Sequence, residues 1–152
     1  MEKLLISACL VGAKCKYSGG DNALPPETIA ALRARYQLIP VCPELAGGLP
    51  VPREPSERRG ASVISRTGRD VTAQFHRGAA LALLLARRFG CAAALLKARS
   101  PSCGIGQIYD GHFSGRLVPG DGVAAALLRE NGLALVDEQT LLSRPDRDTA
   151  KR

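Results

Sequence analysis

Aromatic side chains are scarce in this chain, at 4% of 152 residues with no tryptophan at all, and no two cysteines have the CxxC spacing. The first shortage removes the row of stacking rings on which a single strand of nucleic acid is held, since no aromatic residue interleaves with the arginines of the middle segment. The second removes the paired-ligand signature of a structural zinc site. Cys9 and Cys15 are six residues apart, which does not fit a thioredoxin-type redox pair either. Histidine occurs only as His76 and His112, with no recognisable ligand spacing, and both read as surface residues, one on a helix and one in a loop. Long apolar runs are missing too: residues 79–86 are closely flanked by arginines, well short of the ~18 apolar residues of a membrane span. Ile6-Ser7-Ala8-Cys9 has the form of a lipoprotein cleavage box. The apolar run before it is too short for a signal segment, however, and Glu2 places an acid where basic residues belong. No membrane partner is expected, and the chain reads as cytoplasmic.

What is present points to one ordinary globular core. Hydrophobic residues make up 45% and charged residues 23%, with alanine and leucine supplying most of the apolar volume, a composition that favours helices packed on a sheet. A chain of this length suits a single domain, expected over residues 1–142, with a charged tail over residues 143–152. Five cysteines, an odd number at irregular spacing, argue for reduced thiols rather than a disulfide framework. The net charge of +7 is dispersed over Arg53, Arg58, Arg59, Arg66 and Arg69 in the middle and Arg144, Arg147, Lys151 and Arg152 at the end. A solvated basic surface is one reading of that charge and phosphate steering the other.

Hydrophobic patterning gives an alternation of strands and helices. Strands are expected at residues 3–8, 37–41, 91–97 and 133–136, and a helix opens at Pro25-Pro26 and runs to Arg35. The clearest helix begins at Asp70 or Thr72 as N-cap and ends at Phe89 before Gly90, with Phe75, Ala79, Ala82, Leu83 and Ala86 on the face that covers the sheet. Residues 47–60 carry too many glycines and prolines to be regular, residues 61–65 suggest a hairpin or edge strand, residues 104–119 a glycine-rich loop with a hairpin around Tyr109-Asp110-Gly111, and residues 121–130 a helix. The expected architecture is α/β: a single-domain, Rossmann-like open sheet, mainly parallel, with helices on both faces.

Cys9, Cys42 and Cys103 each follow one of the short apolar runs, so parallel strands would open all three thiols at the carboxyl edge of the sheet, where open α/β folds build their sites. Three well-separated thiolates suit an iron–sulfur cluster better than zinc, and a cluster with one iron free of protein ligands has a Lewis-acidic position. Spacing alone leaves ordinary buried cysteines as the alternative.

The segments SACLVGAKCKYSGG, PVCPELAGGLPVPR, GRDVTAQFHRGA, KARSPSCG and IYDGHFSGRLVPGDGVAAALL occur in the order seen in the DUF523 family, which the chain resembles over residues 3–137. That family includes thiouracil desulfidases. The resemblance implies a [4Fe-4S] cluster held by Cys9, Cys42 and Cys103, with Glu44 as catalytic acid/base and Ser100 as a substrate-contacting hydroxyl. It implies non-redox loss of sulfur from a thiolated pyrimidine base or nucleotide, leaving the uracil form and sulfide. Cys15 also falls in the family pattern and is assigned a structural or supporting part, whereas Cys91 reads as a core residue. Ser18 stands where the family has an aspartate in YDGG. Glu44 as a helix cap and Ser100 as a loop-backbone partner remain the plainer readings. Lys97, Arg99 and Asp110 are weaker candidates for substrate contact, and Arg53 with Glu57 reads as a local ion pair. The competing function is a non-enzymatic iron–sulfur or thiolated-RNA-binding protein, though the tRNA-acting relatives carry a further domain.

Overall fold

The computed structural model describes residues 1–143; the remainder of the expected tail lies outside the described residues. Four parallel strands form the central sheet: β1 (Glu2–Ser7), β2 (Tyr36–Val41), β5 (Ala93–Leu96) and β8 (Ala134–Asp137), in the order β2-β1-β5-β8. In β1 the side-chain period of two sends Leu5 to one face and Leu4 and Ile6 to the other. Both faces are apolar because both are covered, as a parallel sheet requires. One face carries α3 (Thr72–Phe89) and α4 (Val123–Glu130), whose Leu83, Ala86, Ala125 and Leu128 pack with Leu5, Ala94 and Leu96. The other carries a 3-10 turn (Ala8–Val11), α1 (Pro26–Arg35) and α5 (Glu138–Leu142), through Leu10, Leu32 and Leu141 against Leu4, Ile6 and Leu95. The α/β sheet with helices on both faces is therefore as the sequence led us to expect. Among the described residues, no helix is long and apolar enough to cross a membrane.

Two hairpins flank the carboxyl end of the sheet. β6 (Gln107–Tyr109) pairs antiparallel with β7 (Leu117–Pro119) in the expected glycine-rich loop. β3 (Ser56–Arg59) pairs antiparallel with β4 (Ser62–Ser65), which corrects the expectation that residues 47–60 lack regular structure. The Ser-Glu-Arg-Arg run carries no apolar signal, and it is ordered by four register pairs with β4 rather than by burial. Neither expected cap holds at α3: Val71 occupies the N-cap position, Thr72 is the first helical residue, and Asp70 accepts the Thr72 N–H at 2.9 Å. The expected apolar face of α3 is buried, but it splits between two cores. Its front half, Phe75 and Ala79, packs with Val63, Val71 and Val123 instead of the sheet.

A short helix at the turn after Pro43, α2 (Pro43–Ala46), lies backbone to backbone against α3. A Cβ on Gly78 would fall inside the Pro43 carbonyl, and one on Gly47 inside the Gln74 carbonyl. An ordinary exposed Gly→Ala change within a helix gains about 1 kcal/mol. Gly78→Ala is expected to do the reverse, lowering stability by about 1–3 kcal/mol because α2 must move. Chemical denaturation checks the sign, and a gain in stability would mean that α2 is loosely docked.

Candidate active site

The strand order reverses between β1 and β5, with β2 on the far side of β1 and β8 on the far side of β5. A crevice opens outside the carboxyl ends at such a switch point. Here it is a cavity of about 630 Å³ whose walls include Cys9, Cys42, Cys103, Glu44 and Ser100, all five residues singled out above. Cys15 lines it as well, and Lys97 and Arg99 stand on its wall. Cys91 is absent from the lining and is buried among Leu83, Ala94 and Leu96. Asp110 also lies outside: it accepts from the His112 N–H and the Ser114 hydroxyl and shapes the β6–β7 loop. His76 and His112 are exposed.

Each thiol arrives on a different strand end. Cys9 rides the 3-10 turn directly after β1, and the following loop folds back on it through Asn22 N–H to Cys9 O at 3.0 Å and Leu24 N–H to Leu10 O at 2.8 Å. Cys42 occupies the N-cap of α2, where its thiol donates to the Cys15 carbonyl at 3.8 Å. Cys103 ends a tight turn in which Ser100 Oγ accepts from the N–H groups of Ser102 at 3.1 Å and Cys103 at 2.9 Å. Helix α4 grips that turn from behind. The Val123 N–H donates to Pro101 O at 2.8 Å, and the Ala124 and Ala125 N–H groups donate to Ser102 O at 2.9 and 3.0 Å. Helix N-terminal donors left over by the helix itself are thus satisfied by the turn that presents Cys103. The approach needs a glycine before α4, since a Cβ on Gly122 would lie 2.5 Å from the Ser102 carbonyl carbon.

Burial pushes the Cys103 thiol up to about 12. Burial, reinforced by the neighbouring Cys42, does the same for Cys15, up to about 12. Cys9 is raised by burial as well, against an opposing hydrogen bond from Asn22. Cys9, Cys15 and Cys103 are therefore protonated at neutral pH, and a metal centre that binds any of them must release protons. The linkage has a definite sign. A thiol raised from 9.0 to about 12 in the folded state adds stability that is complete below the unfolded value and is lost as pH rises through the folded one. Metal-free protein should accordingly lose stability from about pH 9 upward, and Cys103→Ala should lose less over that range; urea midpoints at successive pH values measure the difference.

Glu44 is held at both oxygens. Its Oε1 receives Arg53 Nε at 2.9 Å and its Oε2 receives the Ser102 hydroxyl at 3.0 Å. It makes no capping bond in α2, so the helix-cap reading of Glu44 is not what the structure shows. The expected Arg53–Glu57 pair is also corrected. Arg53, its side chain only 7% exposed, pairs with Glu44 and donates to the Cys15 and Pro50 carbonyls. Glu57 instead accepts the Gly111 and Phe113 N–H groups, each at 3.0 Å, and so is committed to the β6–β7 loop. Ser100 does satisfy loop backbone, as its plainer reading had it, and it also faces the cavity. Two residues escaped the sequence reading. Ser102 bridges Glu44 and Ser100, and its only signal was the second serine of SPSC. Glu138 pairs with Lys97 at 2.9 Å and accepts the Ala98 N–H at 2.7 Å, from a helix the sequence did not reveal.

Among the described residues, no three His, Cys, Asp or Glu side chains gather closely enough to hold a single metal ion. Cys9, Cys42 and Cys103 line one cavity, each brought there from a different strand end.

Comparison with known proteins agrees with this geometry. The chain is 40% identical over 148 residues to the uncharacterized protein YbbK of Bacillus subtilis strain 168, spanning 91% of this chain and 97% of that one. A solved structure titled [4Fe-4S]-dependent thiouracil desulfidase TudS superimposes with a TM-score of 0.89 at 45% identity, over 94% of this chain and 95% of that one. The pattern of the family described as 2-thiouracil desulfurase matches residues 4–140, nearly the whole described chain, and the protein belongs to that family.

Proposed function

We propose that this protein is an iron–sulfur-dependent desulfidase that removes sulfur from a thiolated pyrimidine without net electron transfer, leaving the uracil form and sulfide. The observation that carries the reading is the convergence of three thiols from three separate strand ends on one cavity, with a carboxylate and a hydroxyl on the same wall. The donor set fits a [4Fe-4S] cluster: Cys9, Cys42 and Cys103 would hold it, all as free thiols. When bound through three thiolates, such a cluster supplies an iron without a protein ligand, a soft Lewis acid for a thiocarbonyl sulfur.

The remaining chemistry falls to the chain. Glu44, fixed by Arg53, is the base that takes a proton from the attacking water and returns it to the ring. Ser100, anchored by two backbone N–H groups, has its own proton available to a carbonyl or ring nitrogen in the cavity. The cavity's volume, within the ~300–1,000 Å³ typical of small-molecule sites, exceeds what a pyrimidine ring needs. Lys16, Arg66 and Arg99 line it and make no ion pair among the described residues, so it favours an anionic substrate such as the nucleotide over the free base. Five free cysteines suit a reducing, cytoplasmic setting, and residues 1–142 form one domain in this reading.

The test is anaerobic incubation of cluster-loaded protein with 2-thiouracil and with its nucleotide, in water enriched in oxygen-18. Uracil carrying the label, formed one-for-one with sulfide, is the expected outcome. Binding of thiolated RNA with no sulfide release would transfer the function to the non-enzymatic alternative.

A further inference from the structure

The few aromatic rings of this chain, three phenylalanines and three tyrosines, divide evenly between two places. Phe75, Phe89 and Tyr36 pack in or against the three apolar cores. Tyr17, Tyr109 and Phe113 join none of those cores, and all three line the cavity. Core packing therefore accounts for one set and not for the other. Of the cavity rings, Phe113 is the one the fold fixes most firmly. Its φ of 55° is a left-handed conformation that a side chain of this size rarely adopts. Glu57 Oε1 accepts both the Gly111 and the Phe113 N–H at 3.0 Å, and Arg59 donates twice to the Gly111 carbonyl, at 3.0 and 2.6 Å. Position 111 has to be glycine, since a Cβ there would lie 2.8 Å from the Arg58 carbonyl oxygen. The adjacent His112 and Ser114 are exposed and lie outside the cavity lining, so what these bonds deliver to the cavity is the ring of Phe113. The Arg66 guanidinium stands over one face of that ring, 5.5 Å from its centroid, which leaves the opposite face for a ligand.

Resting on the desulfidase reading, we propose that Phe113 is the stacking platform for the pyrimidine ring and thereby a specificity-determining residue of the site. A flat ring lying on Phe113 has its plane fixed by the contact between π-faces. Only rotation within that plane is then left for hydrogen bonds at the ring's edge to set. A thiocarbonyl compound without a ring finds no such partner and gains nothing from the platform. The contact is the same before and after the C–S bond breaks, so it lowers KM and leaves kcat alone.

Steady-state sulfide release from 2-thiouracil by anaerobically loaded wild type, Phe113→Ala, Phe113→Leu and Phe113→Tyr tests the platform, beside the iron content of each protein and its affinity for uracil by calorimetry. Phe113→Ala should raise KM about 10- to 100-fold, the size of a lost base–aromatic stack, with kcat within about threefold and iron unchanged. Leucine restores bulk but no π-face, so Phe113→Leu should stay near Phe113→Ala. Phe113→Tyr should return KM to within about threefold of the wild type, because the stacking surface is kept. Uracil affinity should fall and recover in the same order. An unchanged KM in Phe113→Ala, a KM restored in Phe113→Leu, or a loss that travels with iron content overturns the platform. Should Phe113→Ala fail to fold, the comparison of Phe113→Leu with Phe113→Tyr decides. A wild type that releases no sulfide would remove the desulfidase reading, and the uracil affinities would still decide for or against the ring contact. An active wild type beside an undiminished Phe113→Ala removes the platform alone.

Discussion

Cys103→Ala is expected to leave a folded protein that holds no iron–sulfur cluster and releases sulfide from 2-thiouracil no faster than the uncatalysed reaction. The fold survives because the turn at residues 100–103 is fixed by the Ser100 hydroxyl and by three backbone bonds from α4, none of which involves the thiol. The cluster does not survive, since each of the three thiols comes from a different strand end and no other cysteine lies in that turn. Cys9→Ala and Cys42→Ala should behave alike. Cys91→Ala is the control: its side chain packs among Leu83, Ala94 and Leu96 away from the cavity, so it should lose some stability and keep its iron. Iron and sulfide analysis beside the visible spectrum separates the two classes. A Cys103→Ala protein with a full complement of iron would remove Cys103 from the ligand set.

Glu44→Gln has the second-largest expected effect, a loss of about 10²–10⁴ in turnover with the cluster spectrum intact. Glutamine preserves the length of the side chain and keeps one oxygen for Arg53 or Ser102, so the wall of the cavity stays in place. What it lacks is the ability to take up a proton and give it back. Turnover at the wild-type rate would leave Glu44 as the partner of a buried arginine and nothing more. The Glu44–Arg53 contact makes that alternative concrete, because Arg53 also ties the Cys15 loop to the segment after α2.

The strand-end cysteines were legible because the signal is local. Cys42 follows β2 immediately, and Cys9 lies on the turn after β1, so a reader who finds the strands finds the thiols. Cys103 is different. It lies seven residues beyond the end of β5, so its place after that strand is a weaker local signal, and the SPSCG motif, through resemblance, reinforced it as a ligand. Contacts that cross between elements left no such trace. Arg53 and Glu57 are near neighbours in sequence and read as a pair, yet β3 turns Glu57 toward the β6–β7 loop while α2 brings Glu44 to the guanidinium. Ser102 became visible only once Glu44, from another strand end, stood beside it. Glu138 likewise depended on α5, a helix of five residues whose pattern is too short to separate from loop. Strand β3 was hidden for a related reason, since its Ser-Glu-Arg-Arg run has neither apolar alternation nor β-branched residues and owes its conformation to pairing alone.

The most direct test of three thiols supporting an open, reactive cluster is anaerobic loading with iron and sulfide, followed by 2-thiouracil and a count of sulfide released per cluster before and after the iron is removed by a chelator. The expected result is uptake of four irons per chain, repeated turnover of sulfide while the cluster is present, and none once it is stripped. A protein that takes up no cluster under these conditions, or that releases sulfide equally well without one, would contradict the account.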